Sequence, residues 1–301
     1  MASAKEIKER ISSIEDTRKI TSAMYMISST KLRRAKERLE KAEPYYHALR
    51  PALSRIMRHM TPAELNNIFM DDYVDPDGKP RRHRRAYIVV TADKGLAGAY
   101  NHNILKTAEA ELAKDGETYL FVVGEVGRRY FEGKGIEIDM HFHYTAQDPS
   151  LGRCRRITDL LLDMYKAGEF DEIYMIYTAQ EGSQVTEARL EKLLPLHKAE
   201  FVPLDAEMLN MHQEEFNMHP NEAAVINNLV PNYMVGFLYC ALTESYMCEQ
   251  NARMTAMKSA TDSADDMLKE LNKTYNHLRQ ASITQEITEV IGGAKALKNK
   301  K

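Results

Sequence analysis

Several residue types are missing or scarce in this sequence, and each absence narrows the kinds of protein to consider. The 301 residues include no tryptophan and only three cysteines. Cys154, Cys240 and Cys248 show neither an even pairing pattern nor the C-x-x-C spacing of a zinc site. We therefore expect a reducing compartment, buried cysteines that act as small hydrophobic residues, and no disulfide framework.

Long uncharged apolar runs are also absent. No stretch reaches the roughly 18 apolar residues that a membrane-spanning helix needs, and residues 1–10 lack the apolar core of a signal peptide. With 41 basic and 44 acidic residues the formal net charge is −3, which gives no overall attraction to nucleic acid or to an anionic membrane. The composition predicts a soluble globular protein with a helical bias.

No arrangement of residues typical of an enzyme is evident. Because the sequence shows no nucleophile–base pair, paired carboxylates or zinc signature, we predict no catalytic residue, no metal and no cofactor. The sequence TADKGLAGAYN (91–101) carries G-x-x-G rather than a dinucleotide or P-loop fingerprint, which favours a strand-to-helix turn over a phosphate site. His141 and His143 share one face of a predicted strand but lack a third ligand, and RRHRR (81–85) is typical of a solvated charge run.

Two long helical segments, one at each end, are what the sequence does contain. From Ala4 to Met57 apolar residues recur in steps of three and four, a heptad pattern typical of a coiled coil. The regular positions of this first arm are Leu32, Ala35, Leu39, Ala42, Tyr46, Leu49, Leu53 and Ile56. Such a helix would be roughly 80 Å long, and Pro44 and Pro51 are expected to kink it or to break it locally.

The second arm, from Asn221 to Leu297, has the same rhythm. Its regular positions include Met257, Thr261, Ala264, Leu268, Leu271, Tyr275 and Leu278. A helix of roughly 110 Å cannot bury its apolar stripe on a small globule. Since the first arm is the only other segment of comparable length, we predict that the two arms pair antiparallel, with the middle of the chain inserted between them.

In the middle of the chain, short apolar strands alternate with helices. Predicted strands cover 85–92, 118–124, 136–144 and 172–180, with an edge strand in 193–204, and predicted helices cover 102–114, 125–131 and 148–167. This alternation predicts an α/β sheet of Rossmann-like βαβ units. The predicted organisation is a coiled-coil helix (1–57), a linker (58–84), an α/β domain (85–210) and a second coiled-coil helix (211–301) that pairs with 1–57.

Two stretches of the arms have an unusual composition. ITQEITEVIGGAKAL (283–297, hereafter the tip) combines an apolar stripe with an opposite face of small, weakly polar residues and two glycines, although chain ends fray easily. KLRRAKERLEK (31–41) contains six basic and two acidic residues. Solvated positions flanking the coiled coil explain this basic run, and the alternative is an acidic partner that docks on it.

Four segments together are similar to one family. The tip matches a C-terminal signature at Ile283, Thr284, Glu286, Glu289, Gly293 and Ala294. The first arm matches a first-helix pattern at Thr17, Ile20, Thr21, Met24, Lys31 and Ala35. These segments, with 252–284 and the turn 91–101, resemble the γ subunits of F-type ATP synthases, of the bacterial type. The turn departs from the family at Ala97 and Ala99, where Cys and Gly are usual.

The resemblance implies a non-catalytic rotor shaft that couples proton flow through the membrane sector to ATP synthesis or hydrolysis at β subunits. The partners it implies are the α and β subunits, the ε subunit and the c-subunit ring, with no nucleic acid, on the cytoplasmic side of a bacterial plasma membrane. Contacts to β are implied at Met24, Lys31, Arg33, Arg34, Arg253, Arg279, Gln280 and Thr284. An apolar bearing is implied at Ile287, Val290, Ile291, Ala294 and Leu297.

Two other functions fit the residue patterns alone. One is a ligand-binding α/β domain with a dimerising coiled coil, in which the turn 91–101 contacts the ligand. The other is a coiled-coil adaptor that binds nucleic acid through 31–41, although the near-neutral charge counts against it.

Overall fold

The computed structural model describes residues 4–60, 66–71, 83–114, 116–181, 185–198, 218–219 and 221–298. In chain order the elements are α1 (Ala4–His59), β1 (Arg85–Val90), α2 (Tyr100–Leu112), β2 (Thr118–Val123), α3 (Glu125–Gly133), α4 (Leu151–Lys166), β3 (Glu172–Glu181), β4 (Val185–Leu194) and α5 (Glu222–Lys298). They divide into two compact units, unit 1 (Met1–Ser29 with Arg253–Lys301) and unit 2 (Thr30–Ala252). The domain boundaries predicted from the sequence stay a prediction.

Both predicted arms are single helices. The first, α1, has 56 residues and the second, α5, has 77. Pro44 and Pro51 lie inside α1 without interrupting it, so a local break is excluded and the alternative, a kink, stays a prediction. Each proline removes only one backbone donor, and Leu53 and Met57, which are fully buried in unit 2, hold the turns that follow.

Within unit 1 the two arms run antiparallel, as predicted. The guanidinium of Arg18 lies 2.6 Å from the carboxylate of Asp265, and the hydroxyls of Thr21 and Thr261 are 2.8 Å apart. A later residue of α1 thus faces an earlier residue of α5. Buried side chains of this pair include Ile7, Thr21, Met257, Ala264 and Leu268.

Unit 2 contains a four-stranded sheet in the order β2-β1-β3-β4. The strand β1 pairs parallel with β2 and β3, whereas β3 pairs antiparallel with β4. The central strand reads RAYIVV and is buried on both faces, as expected for a parallel strand that is covered by helices. The α/β fold with βαβ units is therefore confirmed.

The arms also supply part of the core of unit 2. Leu53, Ile56 and Met57 of α1 and residues of α5 between Ile226 and Leu242 share one apolar cluster with sheet residues such as Ile88 and Phe121. The helix α2 packs on a second cluster with Tyr87 and Val89, which point to the other face of the sheet. The sheet is therefore enclosed on both faces.

Two predicted strands differ from the structure. Residues 136–144 form no strand, and only an isolated bridge joins Tyr144 to Val123. The backbone there is held instead by Asp139, whose carboxylate accepts hydrogen bonds from the amides of His141 and Phe142. The edge strand is β4, so the predicted edge strand 193–204 is displaced, and its residues 199–204 lie outside the described part of the chain.

Part of the predicted linker belongs to the core. Phe69 and Met70 are buried, and the hydroxyl of Tyr165 donates to the carbonyl of Ile68. Residues 61–65 and 72–82 lie outside the described ranges. The rest of the linker therefore stays a prediction.

One helix meets the length and hydropathy expected of a membrane span, contrary to the sequence expectation. An 18-residue window in α5 has a mean hydropathy of 1.2, and 56% of it is buried within the protein. Core helices of soluble proteins meet the same criteria, so this is weak evidence for a membrane span.

Candidate functional site

The crevice where open α/β sheets bind ligands is filled by the protein's own helix. Such crevices lie beyond the carboxyl ends of the strands, where the strand order reverses, here between β1 and β3. The hydroxyl of Ser245 on α5 lies 2.8 Å from that of Tyr100 and accepts a hydrogen bond from the amide of Thr178. All three residues are buried. This arrangement disfavours a ligand-binding α/β domain.

The turn 91–101 docks against α5. Ala97 is buried in a small cluster with Tyr100 and Cys248, and Asn101 accepts a hydrogen bond from the amide of Ala92. Gly98 has a φ of 55°, the left-handed conformation that a turn glycine provides. These contacts are those of a strand-to-helix turn, the interpretation that the sequence favours.

The histidines and cysteines give no sign of chemistry. His141 and His143 are exposed on an irregular segment, and among the described residues no three His, Cys, Asp or Glu side chains are arranged to hold a metal. Burial raises the pKa of Cys154, Cys240 and Cys248 to about 12. The thiols are therefore protonated at neutral pH and are poor nucleophiles.

Unit 1 carries an exposed apolar surface on the outer side of α1. This outer patch consists of Ile20, Ala23, Met26 and Ile27, and the exposed fractions of Ile20 and Ile27 are 61% and 55%. A groove of about 380 Å³ adjoins it and is lined by Arg18, Lys19, Ser22, Ala23, Met26 and Thr261. Apolar residues grouped on a solvent face are typical of a protein-binding surface.

The sequence predicts only part of this surface. Met24, the predicted contact, is half-buried beside the outer patch. Met26 and Ile27 were not predicted as contacts, because they lie outside the heptad positions on which the prediction was based. Their position on the face opposite Thr21 and Ser28 is the signal that reveals them.

The basic run lies on α1 within unit 2. Arg33 and Arg34 are exposed and Lys31 is half-buried. Arg33 is 4.0 Å from Glu37 one turn along the helix, whereas Arg38 pairs with Asp148 of the α/β region. The structure thus leaves Arg33 and Arg34 directed at solvent, but it uses Arg38 internally.

The remaining predicted contacts lie on α5. Arg253 is 8% exposed, so most of this side chain is covered in the chain itself. Arg279, Gln280 and Thr284 are exposed. The hydroxyl of Thr284 donates to the carbonyl of Gln280, 2.9 Å away.

The tip extends past the end of its partner helix. In antiparallel helices the numbers of facing residues have a constant sum, and the two cross-helix contacts of unit 1 give 282 and 283. Ala4, the first described residue, therefore lies opposite about residue 279. The helix α5 continues to Lys298, roughly 19 residues or about 28 Å further. This overhang explains why every described side chain from 279 to 293 is exposed.

Large apolar side chains are displayed along this overhang. Ile287, Val290 and Ile291 are 54%, 72% and 53% exposed. Ala294 and Leu297 lie within α5, but their side chains are outside the described set. A row of exposed branched aliphatic residues on one helix indicates a surface that a partner covers.

Polar groups of the tip are satisfied locally. The hydroxyl of Thr288 donates to the carbonyl of Thr284 at 2.7 Å, and the amide of Gln285 donates to the carboxylate of Glu289 at 2.9 Å. Their hydrogen-bonding capacity is thus partly used within the helix. The tip offers a partner mainly apolar contact.

Known proteins are similar to this sequence along nearly its whole length. The model of the family described as ATP synthase matches residues 3–297. The "ATP synthase gamma chain" of Ruminiclostridium cellulolyticum is 42% identical over 297 residues, with 97% of this chain and 98% of that one covered. The "ATP synthase gamma chain, sodium ion specific" of Acetobacterium woodii is 35% identical, with 97% and 98% covered.

Solved structures share the fold. A chain of the Euglena gracilis mitochondrial ATP synthase, OSCP/F1/c-ring in rotational state 3, matches with a TM-score of 0.65 at 14% identity. The match covers 98% of this chain and 94% of that one. At this identity the likeness shows the fold alone, whereas the sequence relatives show kinship. The chain belongs to the ATP synthase gamma-chain family.

Proposed function

We propose that this protein is the non-catalytic central shaft of an F-type ATP synthase, which turns inside a ring of α and β subunits. The observation that carries the proposal is the exposed apolar tip, an overhang of α5 that has no partner helix within the described chain. A helix end of this kind is stable in water only to the extent that something covers it. The family membership indicates that the ring of α and β subunits would cover it.

The tip is suited to turning within an apolar sleeve. Rotation brings each side chain of the tip past a succession of different neighbours. A fixed hydrogen bond or ion pair would favour one angle over the others, and an unpaired buried charge would cost several kcal/mol. Apolar contact from Ile287, Val290 and Ile291, together with Ala294 and Leu297, avoids both problems.

Coupling follows from the asymmetry of the shaft. The outer patch and the groove occupy one side of the arm pair in unit 1, so the shaft presents a different surface to each β subunit around it. A ligand shifts a conformational equilibrium only by its difference in affinity for the two states. A rotating asymmetric ligand therefore favours each β conformation in turn.

Contacts to β are assigned to the outer patch and to the residues indicated by the family resemblance. These are Met24, Lys31, Arg33, Arg34, Arg253, Arg279, Gln280 and Thr284. Most are exposed and available, but Arg253 needs a rearrangement to reach a partner because it is 8% exposed. The basic side chains would meet acidic segments of β.

The other partners follow from the same assignment. The α/β region would rest on the c-subunit ring beside the ε subunit, and nucleic acid would have no role. The complex would sit on the cytoplasmic side of a bacterial plasma membrane. The catalytic residues would belong to β.

Reconstitution tests the assignment. Purified chain mixed with α and β subunits should restore ATP hydrolysis that depends on this chain, and with the membrane sector it should restore ATP-driven ion pumping. The chain alone should not hydrolyse ATP. Hydrolysis by the isolated chain, or an α–β assembly whose activity is the same with and without it, would contradict the proposal.

A pair of variants locates the contact surface. Ile20→Ser with Ile27→Ser should leave the unfolding free energy nearly unchanged, because both side chains are more than half exposed. The same variant should lower the coupling ratio, measured as ions pumped per ATP hydrolysed. Lys5→Ser with Lys8→Ser, two exposed positions outside the outer patch and the groove, serves as the control and should change this ratio less.

A further inference from the structure

Two polar contacts join the arms across the seam of unit 1, one turn apart on each helix. The hydroxyls of Thr21 and Thr261 lie 2.8 Å apart, and Thr21 is 8% exposed. Arg18 lies 2.6 Å from Asp265. We call these four residues the clasp. Two further charged contacts of this unit, Lys19 with Asp16 and Lys269 with Asp266, each lie within one helix.

The seam around the clasp mixes large and small side chains. Buried positions of unit 1 include Ile7, Met257 and Leu268, which are large, and Ser28 and Ala264, which are small. Because the heptad pattern repeats along both arms, a slip of one heptad would still bury an apolar stripe. Polar residues at seam positions are the established means of fixing the register of a coiled coil.

The charged half of the clasp disfavours both one-heptad slips. In the native register Arg18 faces Asp265. A slip in one direction places Arg18 opposite Lys258, which is a like charge, and a slip in the other direction places it opposite Asn272. Either slip loses the ion pair, and one replaces it with repulsion.

The two threonines of the clasp also disfavour both one-heptad slips. The two slips place Thr21 opposite Met254 or Leu268, so its hydroxyl would lose its cross-helix partner. The slip toward Leu268 is the less unfavourable, because it also brings Ser28 opposite Thr261 and pairs Arg18 with a neutral residue. Without the clasp, this is the direction in which the arms should move.

We propose that the clasp fixes the longitudinal register of the two arms, and that its residues are positioning residues for the shaft. Bending a pair of helices shears one past the other, so a pair locked against sliding is stiffer than two helices that slide. A slip of one heptad would also move the tip by about 10 Å relative to α1. The functional half of this inference rests on the proposed shaft role, whereas the structural half does not.

Spin-label distances in the full chain test the structural half. Nitroxides attached through an unnatural amino acid at the exposed positions Glu9 and Ser259 leave the cysteines unchanged. In the native register these positions are about 20 Å apart along the axis. In the variant Arg18→Gln, Thr21→Val, Thr261→Val we expect a second population about 10 Å longer, and in the wild-type chain a single distance.

The matched control keeps the charge change but leaves the clasp intact. Lys269→Gln removes one positive charge, as the triple variant does, disrupts an exposed pair within one helix and should give the wild-type distance. The reversed pair, Arg18→Asp with Asp265→Arg and both threonines retained, should also give a single distance. Equal helical circular dichroism among the variants verifies that they are folded.

The coupling ratio of the reconstituted complex tests the functional half. We expect the triple variant to pump fewer ions per ATP than wild type and the reversed pair to recover most of the loss. One unchanged distance in the triple variant overturns the clasp, whatever the activity. A slipped population with an unchanged coupling ratio overturns its positioning role. Failure of the wild-type chain to restore activity contradicts the shaft assignment instead, so the two failures are distinguishable.

Discussion

The same two helices are stabilised differently in the two units. In unit 2 they pack on a sheet through large, fully buried side chains such as Leu53, Met57 and Met234. In unit 1 the residues between them include Thr21 and Ala264, and from residue 279 onward no described side chain of α5 is buried. One stretch is thus part of a core, and the other is a thin pair that ends in a single helix.

This difference indicates that the apolar residues of the sequence have two different roles. Large residues in unit 2 secure the fold of the isolated chain, since burying each contributes about 1.5–3 kcal/mol. Apolar residues of the outer patch and of the tip contribute little to that fold because they remain exposed. We propose that they act through contacts with partners, so substitutions in the two units should affect different measurements.

Gly124→Ala should be among the changes that reduce stability most. Gly124 has a φ of 94°, and an added Cβ would lie 2.2 Å from the carbonyl oxygen of Thr91. Overpacking and a left-handed conformation together cost about 2–5 kcal/mol. Urea unfolding of the full chain measures this. Gly152→Ala, with no heavy atom within 4 Å of its Cβ, is the control, and an equal effect of the two would refute the packing argument.

Leucine-to-alanine substitutions compare the two units directly. Leu53 in unit 2 is fully buried and should lose about 3–5 kcal/mol, whereas Leu268 in unit 1 is 8% exposed and should lose about 2 kcal/mol. The smaller expected loss at Leu268 follows from its partial exposure, because less of this side chain is removed from water in the folded chain. The unfolding free energies of both variants give the comparison. A larger loss at Leu268 would mean that unit 1 is better packed than we infer.

Periodic sequence made the arms and their pairing predictable. A heptad pattern is repeated over many turns, so single exceptions such as Pro44 and Pro51 do not change the outcome. The strands β1, β2 and β3 were equally clear as short apolar runs. The observed ends of these strands lie within two residues of the predicted ends.

Other features depend on contacts that local sequence does not encode. The alternating sequence 136–144 reads as a strand, but Asp139 binds the backbone amides of His141 and Phe142 in an irregular segment. The clasp was not predicted, since which residues of two helices face each other depends on register. The outer patch was missed in part for the same reason, because exposure is decided by packing.

A half-buried carboxylate in unit 2 should make stability depend on pH. Burial raises the pKa of Glu244, which accepts a hydrogen bond from the amide of Gln180 at 2.8 Å, with Arg189 and Glu43 also nearby. The folded state therefore holds this proton more tightly than the unfolded state. Its contribution to stability is present at low pH and is lost as the pH rises above about 4 and through the raised value.

Glu244→Gln removes this dependence and keeps an acceptor for Gln180. We expect the variant to be slightly more stable than wild type at pH 7–8, with a difference that shrinks toward pH 4. Urea unfolding at several pH values measures it. Glu132→Gln, at an exposed position, should show no such trend. A variant less stable than wild type at pH 8 would show that the ionised carboxylate is well stabilised.

Substitutions in the tip should have the smallest effect on stability and still impair the assembled complex. Ile287→Ser and Val290→Ser change side chains that are 54% and 72% exposed, so the unfolding free energy should shift by no more than about 0.5 kcal/mol. In the complex the same hydroxyls would have to be desolvated against an apolar sleeve, which lowers the affinity of the chain for the α–β ring. Titration of the labelled chain into α and β subunits measures that affinity. Gly292→Ala is the control, because its Cβ would meet no heavy atom within 4 Å and it adds no polar group. The helix should gain about 0.5–1 kcal/mol locally, and the affinity should stay close to that of wild type. If the serine variants bind as tightly as wild type, the tip is not covered by apolar surface, and its difference from the arms of unit 2 would need another explanation.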